Sequence, residues 1–169
     1  MELVKAEALD LLRQLSIQTF KEAYGAMTTT EDMTSYLRTS FSPEKISADM
    51  ENPAILFFLI KDDAGLPAGY IKLRWDRPHP HFEEQRAIEL ERLYVLKAYW
   101  GQGIGAKAME AIFDFAKQQT FAWVWLLVWW KNEGAIRFYR RFGFEKFGEM
   151  PFDFAGEITN DWVMKKRLE

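Results

Sequence analysis

The stretch Gly101-Gln102-Gly103-Ile104-Gly105 puts three glycines at alternate positions in a chain that is otherwise bulky and rich in tryptophan. It follows "AIELERLYVL", which alternates as a strand does, and precedes apolar residues that recur with helical period. A strand, a glycine turn and a helix start make an anion site. The first helical amides have no partner within the helix, the helix dipole favours negative charge, and missing side chains let phosphate oxygens approach. A nucleoside-triphosphate loop would end in Gly-Lys-Ser/Thr, but Gly105 is followed by Ala106 and Lys107. A dinucleotide fingerprint has another glycine spacing and an acidic residue about twenty positions on, where "WVWLL" stands here. A tight turn or close helix packing accounts for one or two of the glycines. Upstream, Glu89 and Glu91 stand at i and i+2, on one strand face unless a bulge intervenes. Downstream, Tyr139 follows Asn132 by seven residues, two turns along one helix face.

These residues need elements to position them. Leu9, Leu12, Leu15, Ile17, Phe20 and Ala23 mark a first helix that Gly25 stops. A second helical region spans about Thr30 to Asn52 and holds Ser42 as an N-cap with Pro43 in the first helical position. "AILFFLIK" and "PAGYIKLRW" read as strands joined by the turn Asp62-Asp63-Ala64-Gly65, and "RPHPHFEEQ" as a loop. After the glycines, Ile104, Ala108, Met109, Ile112, Phe113 and Ala116 form a helix face ending near Gln119. "WVWLLVW" is apolar almost throughout, as a strand buried on both faces is. Asn132 then caps a short helix stopped by Gly143, and strands at about Phe144–Glu149 and Asp161–Leu168 close the chain. The reading is a single domain over residues 1–169, α/β in class, around one mixed sheet.

Composition narrows the function. The 169 residues suffice for one ordinary core, and 49% hydrophobic with 28% charged residues excludes a disordered chain. No run approaches the roughly eighteen apolar residues of a membrane span. The acidic start "MELVKAEALD" lacks the basic region of a secretory signal, so the expected location is the cytoplasm. Cysteine is absent, which removes disulfides, thiolate metal sites and cysteine nucleophiles. A net charge of −3 without a basic block argues against nucleic acid as a partner. His79 and His81 in a loop make a poor metal site, and none is expected.

"LERLYVLKAYWGQGIGAKAMEAIF" followed by "NEGAIRFYRRFGF" resembles the GCN5-related N-acetyltransferase (GNAT) superfamily, over about Ala87 to Phe144. That family has a strand, a Gln/Arg-x-x-Gly-x-Gly/Ala turn, a helix, and later an Asn…Tyr helix ending in Gly-Phe. The resemblance implies a mixed sheet of six to seven strands with about four helices, the two central parallel strands parting in a V. It implies acetyl-CoA as co-substrate. Leu93, Tyr94 and Val95 would pair with the pantetheine arm, and Gly101, Gln102, Gly103, Ile104, Gly105 and Ala106 would surround the diphosphate. Lys97 and Lys107 could add charge there. The Gln/Arg position is Trp100 here, a departure that puts a side-chain contact at that point in question.

Acetyl transfer to an amine needs a base for the ammonium and an acid for the departing thiolate. The resemblance gives Tyr139 the acid role and Asn132 a coenzyme contact besides its cap. Either Glu91, the first choice, or Glu89 serves as base, because a bulge common in the family leaves the face open. "SIQTFKEAYGAMTTTEDMTSYLRTSF", with the glycine and Tyr139 segments, is similar to the PaiA-type spermidine/spermine branch. A polyamine would fit an acidic trough of Glu31, Asp32, Asp49, Glu51, Glu89 and Glu91, whereas Trp75, Phe82 and Tyr24 could wall a pocket for an aromatic or aminoacyl substrate. A protein N-terminus or lysine as acceptor, and a non-catalytic acetyl-CoA binder, are the alternatives. A homodimer through a terminal strand is also expected, since "DWVMKKRL" is apolar enough for it.

Overall fold

The structure is a computed structural model that describes residues 2–77, 79–82 and 86–169. Pro78 and residues 83–85 of the expected loop lie outside the described residues. The chain opens with strand β1 (Glu2–Leu3) and helix α1 (Leu9–Tyr24). Its buried line is Leu12, Leu15, Ser16, Thr19 and Phe20. Ser16 and Thr19 are tolerated there because their hydroxyls donate to the carbonyls of Leu12 and Leu15 at 2.8 and 2.7 Å. The expected second helical region is two helices, α2 (Thr30–Ser40) and α3 (Pro43–Glu51), which raises the α-helix count among the described residues to five. The break has a local cause: Ser42 is extended, its hydroxyl accepts from the Lys45 amide, and Pro43 takes the first position of the new helix.

Strands β2 (Ile55–Lys61) and β3 (Pro67–Arg74) follow, with Ala68–Leu73 buried throughout. Then come β4 (Ala87–Val95), α4 (Ile104–Gln118), β5 (Trp123–Val128) and α5 (Glu133–Arg141). The last two strands are longer than expected, β6 (Glu145–Phe154) and β7 (Glu157–Arg167), and form one hairpin. Its two-residue turn has positive φ at both Ala155 and Gly156, 53° and 96°, the geometry that joins twisted strands tightly. Pro151 lies within β6, where a proline is compatible with a terminal strand.

The sheet has seven strands among the described residues, in the order β1-β2-β3-β4-β5-β7-β6. β4 and β5 are parallel and pair through Ala87–Trp123, Ile88–Val124 and Glu89–Trp125. β5 continues to Val128 in register with β7, while β4 runs on to Val95. By packing, the chain divides into two units, Met1–Leu73 with Arg92–Ala108, and Arg74–Glu91 with Met109–Glu169. The first holds a core of Leu12, Phe41, Ile46, Tyr70 and Ile71. In the second, Phe82, Ala87, Trp125 and Val163 pack with Trp123, Leu127, Phe147 and Met150.

Candidate active site

Strand β4 is buried on both faces at its start and half-buried from Glu91 onward. A carboxylate in its first half is therefore costly unless it is paired. Glu89 is 2% exposed, and its carboxylate accepts from Arg77 Nε at 3.1 Å and Nη2 at 3.3 Å. Glu91 accepts from Arg74 Nη1 at 2.9 Å, and Arg77 Nη2 lies 3.6 Å from the same carboxylate. One guanidinium reaches both glutamates, so the two carboxylates lie on one side of the strand.

Burial pushes the Glu89 carboxyl above the usual range, with the charge of Glu91 adding to the rise and Arg77 opposing it. Arg74 is further tied to Asp76 by two hydrogen bonds of 2.7 Å. These carboxylate contacts hold its guanidinium protonated against the cost of burial. Neither Arg74 nor Arg77 stands out in the sequence. The signal that finds them is chemical: two carboxylates on one largely buried strand need positive charge nearby.

In the other unit, the glycine turn has the conformation its residues allow. Gly101 and Gly103 have φ of +76° and +79°, and a Cβ at either would meet no atom within 4 Å. Handedness, and not crowding, requires glycine there. Consecutive amides turned by such residues form an anion-binding concavity, and α4 adds its dipole. The first backbone bond into the helix runs from the Lys107 amide to the Gly103 carbonyl at 3.0 Å, leaving the amides of Ile104, Gly105 and Ala106 ahead of it. The Gln102 side chain donates to the Ala98 carbonyl at 2.8 Å. Trp100, at the departing position, donates its indole N–H to the Val95 carbonyl at 2.7 Å and ties the turn to the end of β4.

Leu93, Tyr94 and Val95 are half-buried. The Tyr94 ring packs with Phe20, Tyr24 and Tyr70, and burial raises its hydroxyl well above the ordinary value. The Lys97 amide donates to Glu22 at 2.6 Å, and Lys107 lies 3.9 Å from Asp63 with both side chains largely in water. Gly69 of β3 is pressed against β4: a Cβ there would come within 2.2 Å of the Tyr94 carbonyl oxygen.

Asn132 caps α5 as expected, accepting from the Ala135 amide at 3.1 Å. Tyr139, on the same helix, is half-buried between Phe138 and Phe144, with centroids at 5.5 and 5.7 Å. The histidines have packing contacts. His79 lies edge-on to Trp125 and Phe147, and burial, with the charge of His81, lowers its pKa. His81 Nε2 is 3.0 Å from Lys165 Nζ. Asp49 of the expected trough is 7% exposed and is bound by Lys45 of α3 and Lys72 of β3. Phe82 is a core residue, 1% exposed.

A family model described as "Acetyltransferase (GNAT) family" matches residues 17–144. The chain belongs to this family. It is an N-acetyltransferase. An N-acetyltransferase of Lactobacillus delbrueckii subsp. lactis, encoded in the pepI 3′ region, is 30% identical over 91% of this acetyltransferase and 88% of the relative. The spermine/spermidine N(1)-acetyltransferase of Bacillus subtilis (strain 168) is 33% identical over 53% of this chain and 57% of its own. Among solved structures, the PaiA N-acetyltransferase of Thermoplasma acidophilum in complex with coenzyme A aligns with a TM-score of 0.77, covering 99% of each chain at 23% identity. The shared fold of the acetyltransferase thus extends well beyond the glycine and tyrosine segments.

Proposed function

We propose that the enzyme moves the acetyl group of acetyl-CoA to a primary amine of a small polycationic molecule of the spermidine/spermine type. The observation that carries this reading is the pair Glu89 and Glu91, two carboxylates on one strand face, one of them almost wholly buried. A cationic amine is the substrate such a pair recognises. The PaiA-like chain segments and the 33% identity to a spermine/spermidine acetyltransferase support the same class.

Acetyl-CoA is the donor. The positive-φ glycines 101 and 103, with the amides of Ile104, Gly105 and Ala106, fit a diphosphate, and the family resemblance assigns the pantetheine arm to Leu93, Tyr94 and Val95. Glu89 is the better base of the pair. Burial raises its carboxyl, and a stronger carboxylate base takes a proton from an ammonium more readily. Glu91, bound to Arg74, orients the cation. Once the nitrogen is neutral it attacks the thioester carbonyl, the carbon–sulfur bond breaks, the Tyr139 hydroxyl gives its proton to the departing sulfur, and the second proton released from the acylated nitrogen restores the Tyr139 hydroxyl through water.

The test is coenzyme A release and product mass with acetyl-CoA against spermidine, spermine, lysine, amino sugars, arylamines and short peptides. Spermidine or spermine turnover well above the others is expected. Preference for peptides would overturn the substrate class and favour a protein acceptor. Tight acetyl-CoA binding without turnover of any amine would favour a non-catalytic binder.

A further inference from the structure

The two arginines at the acidic pair are held very differently. The Arg74 side chain is 11% exposed, and its guanidinium is fixed by Asp76 and Glu91 through contacts of 2.7, 2.7 and 2.9 Å. Arg77 comes from the segment after β3, and its side chain is 56% exposed. Its contacts of 3.1 and 3.3 Å to Glu89, and 3.6 Å to Glu91, are longer than those typical of a charge-assisted bond. Among the described residues, Arg77 is the ion-pair partner of Glu89.

A buried carboxylate is costly without a cation beside it. An ionised Glu89 therefore needs positive charge beside it, whereas the half-solvated Arg77 loses little when it swings back into water. A cation arriving at Glu89 exchanges charge for charge. A neutral molecule would instead leave the carboxylate unpaired.

We infer that Arg77 is the resident counter-ion of the acceptor site, holding Glu89 until the ammonium of the substrate displaces it. The inference rests on the function proposed above and extends it, because it assigns to this chain a residue that sets affinity for cationic amines. Among the described residues, these charged groups lie around Glu89. Glu91 is on its own strand, and Arg74 with Asp76 comes from the end of β3. His79 packs on Trp125, the register partner of Glu89 in β5. Lys165 of β7 is turned to the Trp123 and Phe147 rings at 5.0 and 4.9 Å and to His81. Arg77 has the most solvated of these basic side chains, 56% exposed against 11% for Arg74 and 14% for Lys165.

The sign of the effect follows. Removing Arg77 removes a competitor, so cationic amines bind more tightly where Glu89 is ionised. It also removes a charge that favours ionisation, so the acid limb of the rate profile moves to higher pH. The experiment measures KM for spermidine from neutral to alkaline pH with the wild type, Arg77→Gln and Arg77→Lys, each checked by thermal unfolding. On the plateau, R77Q is expected to lower KM about two- to fivefold, the worth of an ion pair whose cation is half in water. Its acid limb shifts upward, and R77K returns both toward the wild type. An unchanged or raised plateau KM with an unmoved limb in R77Q would overturn the inference.

If the wild type acetylates no amine at all, the proposed function fails by itself. The Arg77 Nε–H signal in the nitrogen-15 spectrum of the wild type, assigned by its loss in R77Q, then decides the inference. A saturable shift on adding spermidine supports displacement, and an unmoved signal overturns it.

Discussion

Glu89 and Glu91 are the same group two residues apart, and their surroundings separate them. Glu91 is tied to a rigid guanidinium, while Glu89 is buried and raised in pKa by that burial. Glu89→Gln should therefore lower kcat/KM by about a hundredfold to ten-thousandfold, the range of a general base, and Glu91→Gln should act mainly through KM. For the wild type, kcat/KM should rise with pH through an acid limb above the ordinary glutamate range, because the base works only when deprotonated. Steady-state profiles of the two variants and the wild type check both statements. Glycines separate in the same way. Gly103→Ala meets no steric obstacle and costs about 1–2 kcal/mol in backbone conformation. Gly69→Ala drives a methyl into the Tyr94 carbonyl and should cost more, measured by denaturant unfolding.

At the scale of elements, α5 carries a structural cap, Asn132, and the residue proposed as the acid, Tyr139. Asn132→Ala should destabilise the protein by about 1 kcal/mol, read from the unfolding midpoint. Tyr139→Phe keeps the ring contacts with Phe138 and Phe144 and should lower kcat while leaving that midpoint nearly in place. Helix α3 is bound to β3 by Asp49, whose carboxylate Lys72 reaches at 2.7 Å and Lys45 also binds. Burial pushes the Asp49 carboxyl up, but the two lysines outweigh it and the net shift is downward. Its stabilising contribution is thus present above the ordinary aspartate value and lost as pH falls through the lower folded value. Asp49→Ala should cost about 3–5 kcal/mol at neutral pH, and the deficit relative to wild type should shrink in acid.

For the whole molecule, ligand linkage provides the broadest measurement. Acetyl-CoA at a hundredfold excess over its Kd should stabilise the protein by about 2.7 kcal/mol. That raises the Tm by roughly 5–10 °C for a chain of this size, and Gly103→Ala should reduce the increment. Strand order bears on the expected homodimer. β7, whose segment Asp161–Leu168 was the expected dimer strand, is paired with β5 on one side and β6 on the other. Its backbone edges are occupied, which leaves β6 as the terminal strand at that end of the sheet. Among the described residues, no helix is long and apolar enough to cross a membrane.

Much of the molecule was written locally. The Ser42-Pro43 start, the Asn132 cap, the turn at Gly101 and Gly103 and the apolar run of β5 each depend on backbone chemistry over a few residues, so the sequence by itself determined them. The family followed from the same short-range signals in combination. Where the reading fell short, the missing fact was a long-range neighbour. The extended β6–β7 hairpin depends on partners across the ladder that carry Pro151 and the Ala155-Gly156 turn. The tie of Asp49 to Lys72 crosses 23 positions, and that of Glu89 to Arg77 crosses 12. Only the tertiary structure decided that Asp49 is a staple, that Glu89 is buried, and that two arginines face the acidic pair. Burial and charge pairing depend on what packs around a side chain, and residues distant in sequence supply that packing.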